Sequence, residues 1–200
     1  MSNVPDALFP STKLGIPKLR PDLCADFIDA PVRGWGSVSR ASRMRGTWHF
    51  YVDDFKFNKL WDDPDKALVS KSVCIVEINF TINDQMPYPV ALYRIYQKRW
   101  VARYWQERGL RIFVDLNAPA NYMDLNWEGV PPGWSAFATS ATDSRLDELE
   151  AQYARAKSWC GQPLFLVYGG GKKVQAFCDG NDCVHITDAR NAARKVNDGE

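Results

Sequence analysis

Several features that would assign a protein to a broad class are missing from this sequence. No stretch approaches the ~18 consecutive apolar residues of a membrane span, and the first ten residues lack the basic-then-apolar pattern of a signal peptide. The formal net charge is only +1, so any basic patch that attracts nucleic acid must be local. The five cysteines are scattered and odd in number, which indicates a reduced, cytoplasmic protein. Since no apolar span is present, we expect no membrane partner.

Common catalytic and cofactor motifs are also missing. The chain has two histidines and contains no G-x-S-x-G elbow, no G-x-G-x-x-G, no Walker sequence and no His-x-His pair. Cys178, Cys183 and His185 follow a C-x4-C-x-H pattern, but no second pair of ligands accompanies them, so we expect no structural zinc. These absences argue against hydrolase triads, dinucleotide binding and rolling-circle initiation.

The most informative stretch runs from Ser72 to Asn117. Two short runs rich in β-branched and aromatic residues flank about twenty residues with helical spacing. This order predicts a parallel strand–helix–strand unit. On the helix, Tyr96, Trp100 and Trp105 form an aromatic stripe, which at helical spacing indicates core packing.

Similar alternation continues along the chain and predicts an α/β domain. Five prolines in residues 1–31 indicate an extended, Pro-rich N-terminal arm, residues 32–189 form the domain, and residues 190–200 are a polar tail. Five or six strands alternating with helices favour a mainly parallel sheet, either open or closing into an incomplete TIM-like barrel.

Acidic residues recur at the ends of three successive predicted strands. Asp53, Glu77 and Asp115 occupy corresponding places, and Asn79 and Asn117 follow two of them at a spacing that shares a face. Converging carboxylates would bind a divalent cation such as Mg²⁺ or act as catalytic acid and base groups. Alternatively, each carboxylate caps a turn or is salt-bridged to an arginine.

Two further segments have side chains or backbone groups suited to anions. Arg33, Arg40, Arg43 and Arg45 lie in a loop without acidic residues around Trp35, and Arg99 and Arg103 lie beside the aromatic stripe; all six could contact phosphate. The Tyr168–Lys173 sequence YGGGKK follows a predicted strand, so Gly169, Gly170 and Lys172 could line an anion site. A solvated charged face and a tight turn are the alternatives.

The segments WHFYVDDFKFNKLW, MPYPVALYRIYQKRWVARYWQERG, PPGWSAFATSAT and VYGGG together resemble a family of unknown function found in bacteria, plasmids and phages. The resemblance covers roughly Leu23 to Gly170 and implies a mobile-element setting, without an established activity. It favours a phage or mobile-element protein that binds or processes DNA or RNA. The alternatives are a barrel-like enzyme acting on a small phosphorylated or sugar substrate, and a non-enzymatic protein that binds a host partner.

Overall fold

A computed structural model describes residues 9–37 and 40–187; the predicted tail 190–200 and the first eight residues of the arm lie outside this part. The strands are β1 (Val32–Gly34), β2 (Thr47–His49), β3 (Cys74–Val76), β4 (Arg111–Asp115), β5 (Ala136–Ser140), β6 (Leu164–Tyr168) and β7 (Val184–Ile186). The α-helices are α1 (Lys59–Asp62), α2 (Asp65–Leu68), α3 (Tyr88–Gln106), α4 (Met123–Asn126), α5 (Leu146–Cys160) and α6 (Lys172–Asn181). None of the helices in the two described ranges is both long and apolar enough to span a membrane.

All seven strands lie in one parallel sheet, in the order in which they occur along the chain. The sheet curls until it is nearly closed, because the ring of His49 on β2 lies 4.3 Å from that of Tyr168 on β6, four strands away. The predicted single α/β domain with an incomplete barrel is therefore confirmed. The carboxyl ends of the strands lie at one end of the barrel, and we call this end the mouth.

Alternating side chains divide the core into two layers. Phe113 of β4 points inward and packs with Cys74, Val76 and Ala138 inside the barrel. Ile112 and Val114, on the other face of the same strand, belong to the layer between the sheet and the helices. A strand buried on both faces reads as a continuous apolar run, which is why RIFVD shows no polar alternation.

The predicted strand–helix–strand unit is present as β3, α3 and β4. Trp100 and Trp105 are buried on α3, so the aromatic stripe is core, as predicted. Gly109 follows the helix with φ +86°, a conformation that glycine adopts without strain. The predicted strand beginning TWHFYVDDF is shorter than expected, because the chain leaves the sheet after His49 and turns at Asp54–Lys56.

The described part of the N-terminal arm docks on the domain and contains a turn, closed by the Thr12 N–H donating to the Ile16 carbonyl at 2.8 Å, and a short 3₁₀ helix at Pro21–Leu23. Ile16 and Leu19 are buried, and the Leu19 N–H donates to Gly129 O at 2.9 Å. Phe9 packs against Trp100, with 5.6 Å between ring centroids. The arm therefore covers one side of α3.

Candidate functional site

Glu77 lies just beyond β3 and is fully buried. Its carboxylate accepts hydrogen bonds from the Arg99 guanidinium and from the Asp115 N–H, the latter at 3.1 Å. Arg99 is also fully buried and donates to the main-chain oxygens of Asn126 at 2.6 Å and Glu128 at 3.0 Å. The two opposite charges therefore compensate each other in a closed, hydrogen-bonded pair.

Asp115, the last residue of β4, forms a second buried ion pair. Its Oδ2 accepts from Lys98 Nζ at 3.1 Å, and Lys98 also donates to the Asp115 carbonyl at 2.9 Å. Its Oδ1 accepts from the Tyr51 hydroxyl and from the Asn117 N–H, both at 3.1 Å. Each carboxylate oxygen thus already has a donor from the protein.

Tyr51 connects this second pair to the mouth. Burial and the neighbouring Asp115 carboxylate raise the pKa of its hydroxyl well above the ordinary value for tyrosine. Its ring stacks on those of His49 and Tyr168, with centroid separations of 5.5 and 5.8 Å. Tyr51 is therefore a neutral hydrogen-bond donor within a cluster of three aromatic rings.

The three predicted carboxylates do not form one cluster. The register pairs Val76 with Phe113, so Glu77 lies one residue beyond that pair and Asp115 two residues beyond. Because successive side chains alternate, Glu77 falls on the helix-facing side and Asp115 on the inner side. Asp53 is exposed, and within residues 9–37 and 40–187 no three or more His, Cys, Asp or Glu side chains are placed to hold a metal ion. This donor set does not fit the expected divalent cation.

The asparagines that follow these carboxylates do come together. Asn117 Nδ2 donates to Asn79 Oδ1 at 3.3 Å, across the ends of β3 and β4. Asn79 borders two cavities at the mouth, of about 910 and 630 Å³. The larger cavity is lined by the loops after β3 and β4 and by the start of α5. The smaller is lined by Tyr51, by Tyr168 and by the three glycines that follow it, residues 169–171, which we call the glycine turn. Their size and position suit a small polar ligand.

The glycine turn after β6 is already occupied by an anionic group of the protein. Gly169 and Gly170 have φ of +85° and +77°, and α6 begins at Lys172. Asp143 Oδ1 accepts from the Gly171 N–H at 2.8 Å and from the Val174 N–H at 3.2 Å. The carboxylate of Asp143 thus lies where the sequence predicts an external anion, beside the exposed Lys172.

Replacing Asp143 with alanine should lower the free energy of unfolding by about 1 kcal/mol near pH 7, as for loss of a helix cap. Hydrogen bonds from the Gly171, Val174 and Lys173 N–H groups lower the pKa of this carboxyl. The stabilisation is therefore present above the unfolded pKa of about 3.9 and disappears as pH falls through the lower folded value. Urea titrations of both proteins from pH 7 to pH 2 measure this difference.

Asp147→Ala is the control for that experiment, since Asp147 is exposed and lies in the first turn of the neighbouring α5. We expect it to change stability by less than about 0.5 kcal/mol. A pH-independent difference between wild type and Asp143→Ala would contradict the capping role.

The six predicted phosphate-binding arginines fall into two groups. Arg33, Arg40, Arg43 and Arg45 are all exposed, and none forms an ion pair with a residue in the described ranges. Arg99 is buried against Glu77, so it has no surface to offer a phosphate. Arg103 bonds to Glu107 at 2.5 Å and to the Lys18 carbonyl at 2.9 Å, and its guanidinium lies over Phe9. Arg103 therefore holds the N-terminal arm against α3.

Sequence reasoning missed Lys98, Tyr51 and Asn126 as partners of Asp115. Asn126 Nδ2 donates to the Asp115 carbonyl at 3.0 Å. For Lys98 a signal was available, because adjacent cations at positions 98 and 99 directly precede the core residue Trp100 and need acidic partners where they are buried. The alternative of a carboxylate salt-bridged to an arginine is found for Glu77, whereas Asp115 pairs with Lys98.

Comparison with known proteins gives two kinds of match. A family described as "Domain of unknown function (DUF4417)" matches residues 9–152. The "Gene 1 protein" of Mycobacterium phage L5 is 28% identical over 151 residues, which is 72% of this chain and 64% of that protein. The "Gene 1 protein" of Mycobacterium phage D29 is 27% identical over 155 residues, 74% of this chain and 56% of that protein. This chain thus spans less than two thirds of either relative, and no solved structure matches it significantly.

Proposed function

The chain belongs to the DUF4417 family, which connects it to phages, and on that premise we propose that it binds nucleic acid through the arginine segment, residues 33–45. One observation carries the proposal: the four arginines of this segment are exposed and lack carboxylate partners in the described chain. Unpaired guanidinium groups can bond two phosphate oxygens at once.

Arginines elsewhere in the described ranges behave differently. Arg94 donates to Gln97 at 3.0 Å. The others each form an ion pair with an aspartate or glutamate: Arg20, Arg99, Arg103, Arg108, Arg111, Arg145 and Arg155. Four of the five described arginines that have no carboxylate partner therefore lie in one segment of a chain whose net charge is only +1. Such a local patch is the electrostatic footprint of phosphate binding.

The arginine segment is anchored near both ends. Trp35 packs edge-on against Trp48, with 5.1 Å between centroids, and its Nε1–H donates to the Lys56 carbonyl at 3.1 Å. Met44 is buried in the core layer between the sheet and the helices. Trp35 therefore serves as an anchor, and the arginines between and beside the anchors face solvent.

Binding, without phosphodiester cleavage, is the form of the proposal that the buried carboxylates favour. Metal-assisted cleavage needs acidic ligands that are open to a cation and to the phosphate. Glu77 and Asp115 are instead buried and paired with Arg99 and Lys98. Of the three carboxylates predicted as acid and base groups for a small-molecule enzyme, only Asp53 is exposed, and it lines the smaller cavity.

The proposal predicts salt-dependent binding to a fluorescently labelled duplex of about 20 base pairs, measured by anisotropy. Four phosphate contacts give a slope of roughly −3.6 in a plot of log K against log salt. Affinity should then fall roughly 150-fold between about 50 and 200 mM salt. The double variant Arg40→Gln/Arg43→Gln should bind more weakly and reduce the slope by about 2.

Arg108→Gln/Arg155→Gln is the matched control, because it removes the same charge from exposed arginines that are ion-paired. Its slope should stay close to that of the wild type. Single-stranded DNA and an RNA hairpin, tested in parallel, distinguish the type of nucleic acid. If none of the three binds at about 50 mM salt, or if both double variants lose the same affinity, the arginine segment is not a nucleic-acid site.

A further inference from the structure

Two cysteines meet at the C-terminal end of α6. The helix ends at Asn181, and Asp182 adopts the left-handed conformation with φ +56°. The N–H groups of Asp182 and Cys183 both donate to the Cys178 carbonyl, the latter at 3.0 Å. This six-residue cap brings the side chains at its first and last positions into contact. Here those side chains are Cys178 and Cys183.

The surroundings of the two thiols differ in exposure. Cys178 is fully buried in the helix-side core, and Cys183 is partly buried and packs against the same cluster. The Cys183 thiol donates to the Asn181 carbonyl at 3.8 Å and packs against the cluster that contains Cys178. The proximity of the two thiols lowers the pKa of Cys178 and raises that of Cys183, so Cys178 is the first of the pair to ionise.

We propose that Cys178 and Cys183 are a redox-active dithiol that closes to an intramolecular disulfide by exchange with a small-molecule disulfide such as oxidised glutathione. Cys178 loses its proton first and then takes the proton of Cys183, so that the partly exposed Cys183 thiolate attacks one sulfur of the glutathione disulfide, whose S–S bond breaks and releases one glutathione thiolate. The Cys178 thiolate then attacks Cys183 Sγ in the mixed disulfide and releases the second. Two protein thiols lose two protons and two electrons, and the glutathione disulfide gains them as two thiols.

The other three cysteines lack this arrangement. Burial raises the pKa of the Cys74 thiol to about 11, and its Sγ donates to the Phe27 carbonyl. Cys24 lies against Ser135, with 3.8 Å between Sγ and Oγ, and Cys160 Sγ donates to the Ala156 carbonyl at 3.4 Å within its own helix. Cys24 and Cys160 are both partly buried and serve as the internal control for accessibility.

Mass spectrometry can test the pair directly, since Lys173 and Arg190 bracket one tryptic peptide, residues 174–190, that holds both cysteines. The folded chain is treated with oxidised glutathione, the remaining thiols are alkylated, and the peptides are weighed. We expect peptide 174–190 to lose about 2 Da and to resist alkylation, while Cys24, Cys74 and Cys160 become alkylated. In Cys178→Ser, Cys183 should instead retain an unresolved glutathione adduct.

The equilibrium constant for oxidation by glutathione separates the folded geometry from sequence proximity alone. In buffer it should be at least roughly tenfold larger than in denaturing urea, because the helix cap holds the sulfurs together. Equal constants in the two solvents would overturn the proposal. So would a persistent glutathione adduct on wild-type Cys183, or a disulfide that joins Cys183 to Cys24 or Cys160.

Discussion

Replacement of Glu77 by glutamine is expected to lower the free energy of unfolding by about 3–5 kcal/mol, the cost of breaking a buried ion pair from one side. Arg99 would remain fully buried, with the two main-chain oxygens of Asn126 and Glu128 as acceptors and no opposite charge. Since whole domains are stable by only about 5–15 kcal/mol, this one substitution should remove a large part of the total. Urea denaturation followed by tryptophan fluorescence measures it.

Arg145→Gln provides the comparison on the surface. Arg145 and Glu148 are 3.5 Å apart, with about half of each side chain exposed (52% and 50%), and their pair should contribute only about 0–1 kcal/mol. In the double variant Glu77→Gln/Arg99→Met no buried charge is left unpaired, so part of the lost stability should return. If Glu77→Gln lowers the free energy of unfolding no more than Arg145→Gln does, the buried Glu77–Arg99 pair does not stabilise the fold.

Local sequence patterns were sufficient for the strand–helix–strand unit and the barrel-like sheet. The apolar runs that end at Val76 and Val114 are continuous because both faces of those strands are buried. The helix between them predicts that the two strands are parallel neighbours. By contrast, β1 is three residues long and includes Arg33 and Gly34, so its pairing with β2 is a tertiary effect without a local signal.

The candidate site was harder to predict because it depends on register. Sequence spacing places Glu77 and Asp115 at equivalent strand ends, but a shift of one residue between the two strands puts them on opposite faces. Their partners, Arg99 and Lys98, are adjacent on α3 and reach the two carboxylates separately. Exposure of the arginine segment was easier to predict, because four arginines without nearby acids are rarely buried.

Gly46→Ala, one residue beyond the arginine segment, is expected to lower the free energy of unfolding by about 4 kcal/mol or more. Gly46 has φ +89° and lies at the start of β2, where the following Thr47 N–H donates to the Pro31 carbonyl at 3.1 Å. A Cβ at this position would overlap Pro31 O and lie 2.7 Å from Pro31 N and 2.8 Å from the carbonyl carbon of Ala30. These are backbone atoms, so no side-chain rotation can relieve the contact.

Gly133→Ala separates that overlap from the conformational cost. Gly133 has φ +80°, nearly the same as Gly46, but a Cβ there would meet no atom within 4 Å. It should therefore cost only the roughly 1–2 kcal/mol of holding an L-residue in the left-handed region. Urea denaturation of both variants gives the difference, which reports how closely the end of the arginine segment is held against residues 30 and 31. Equal losses would mean that this end can move away from Pro31, and the exposed arginines would then not be held at fixed positions for phosphate.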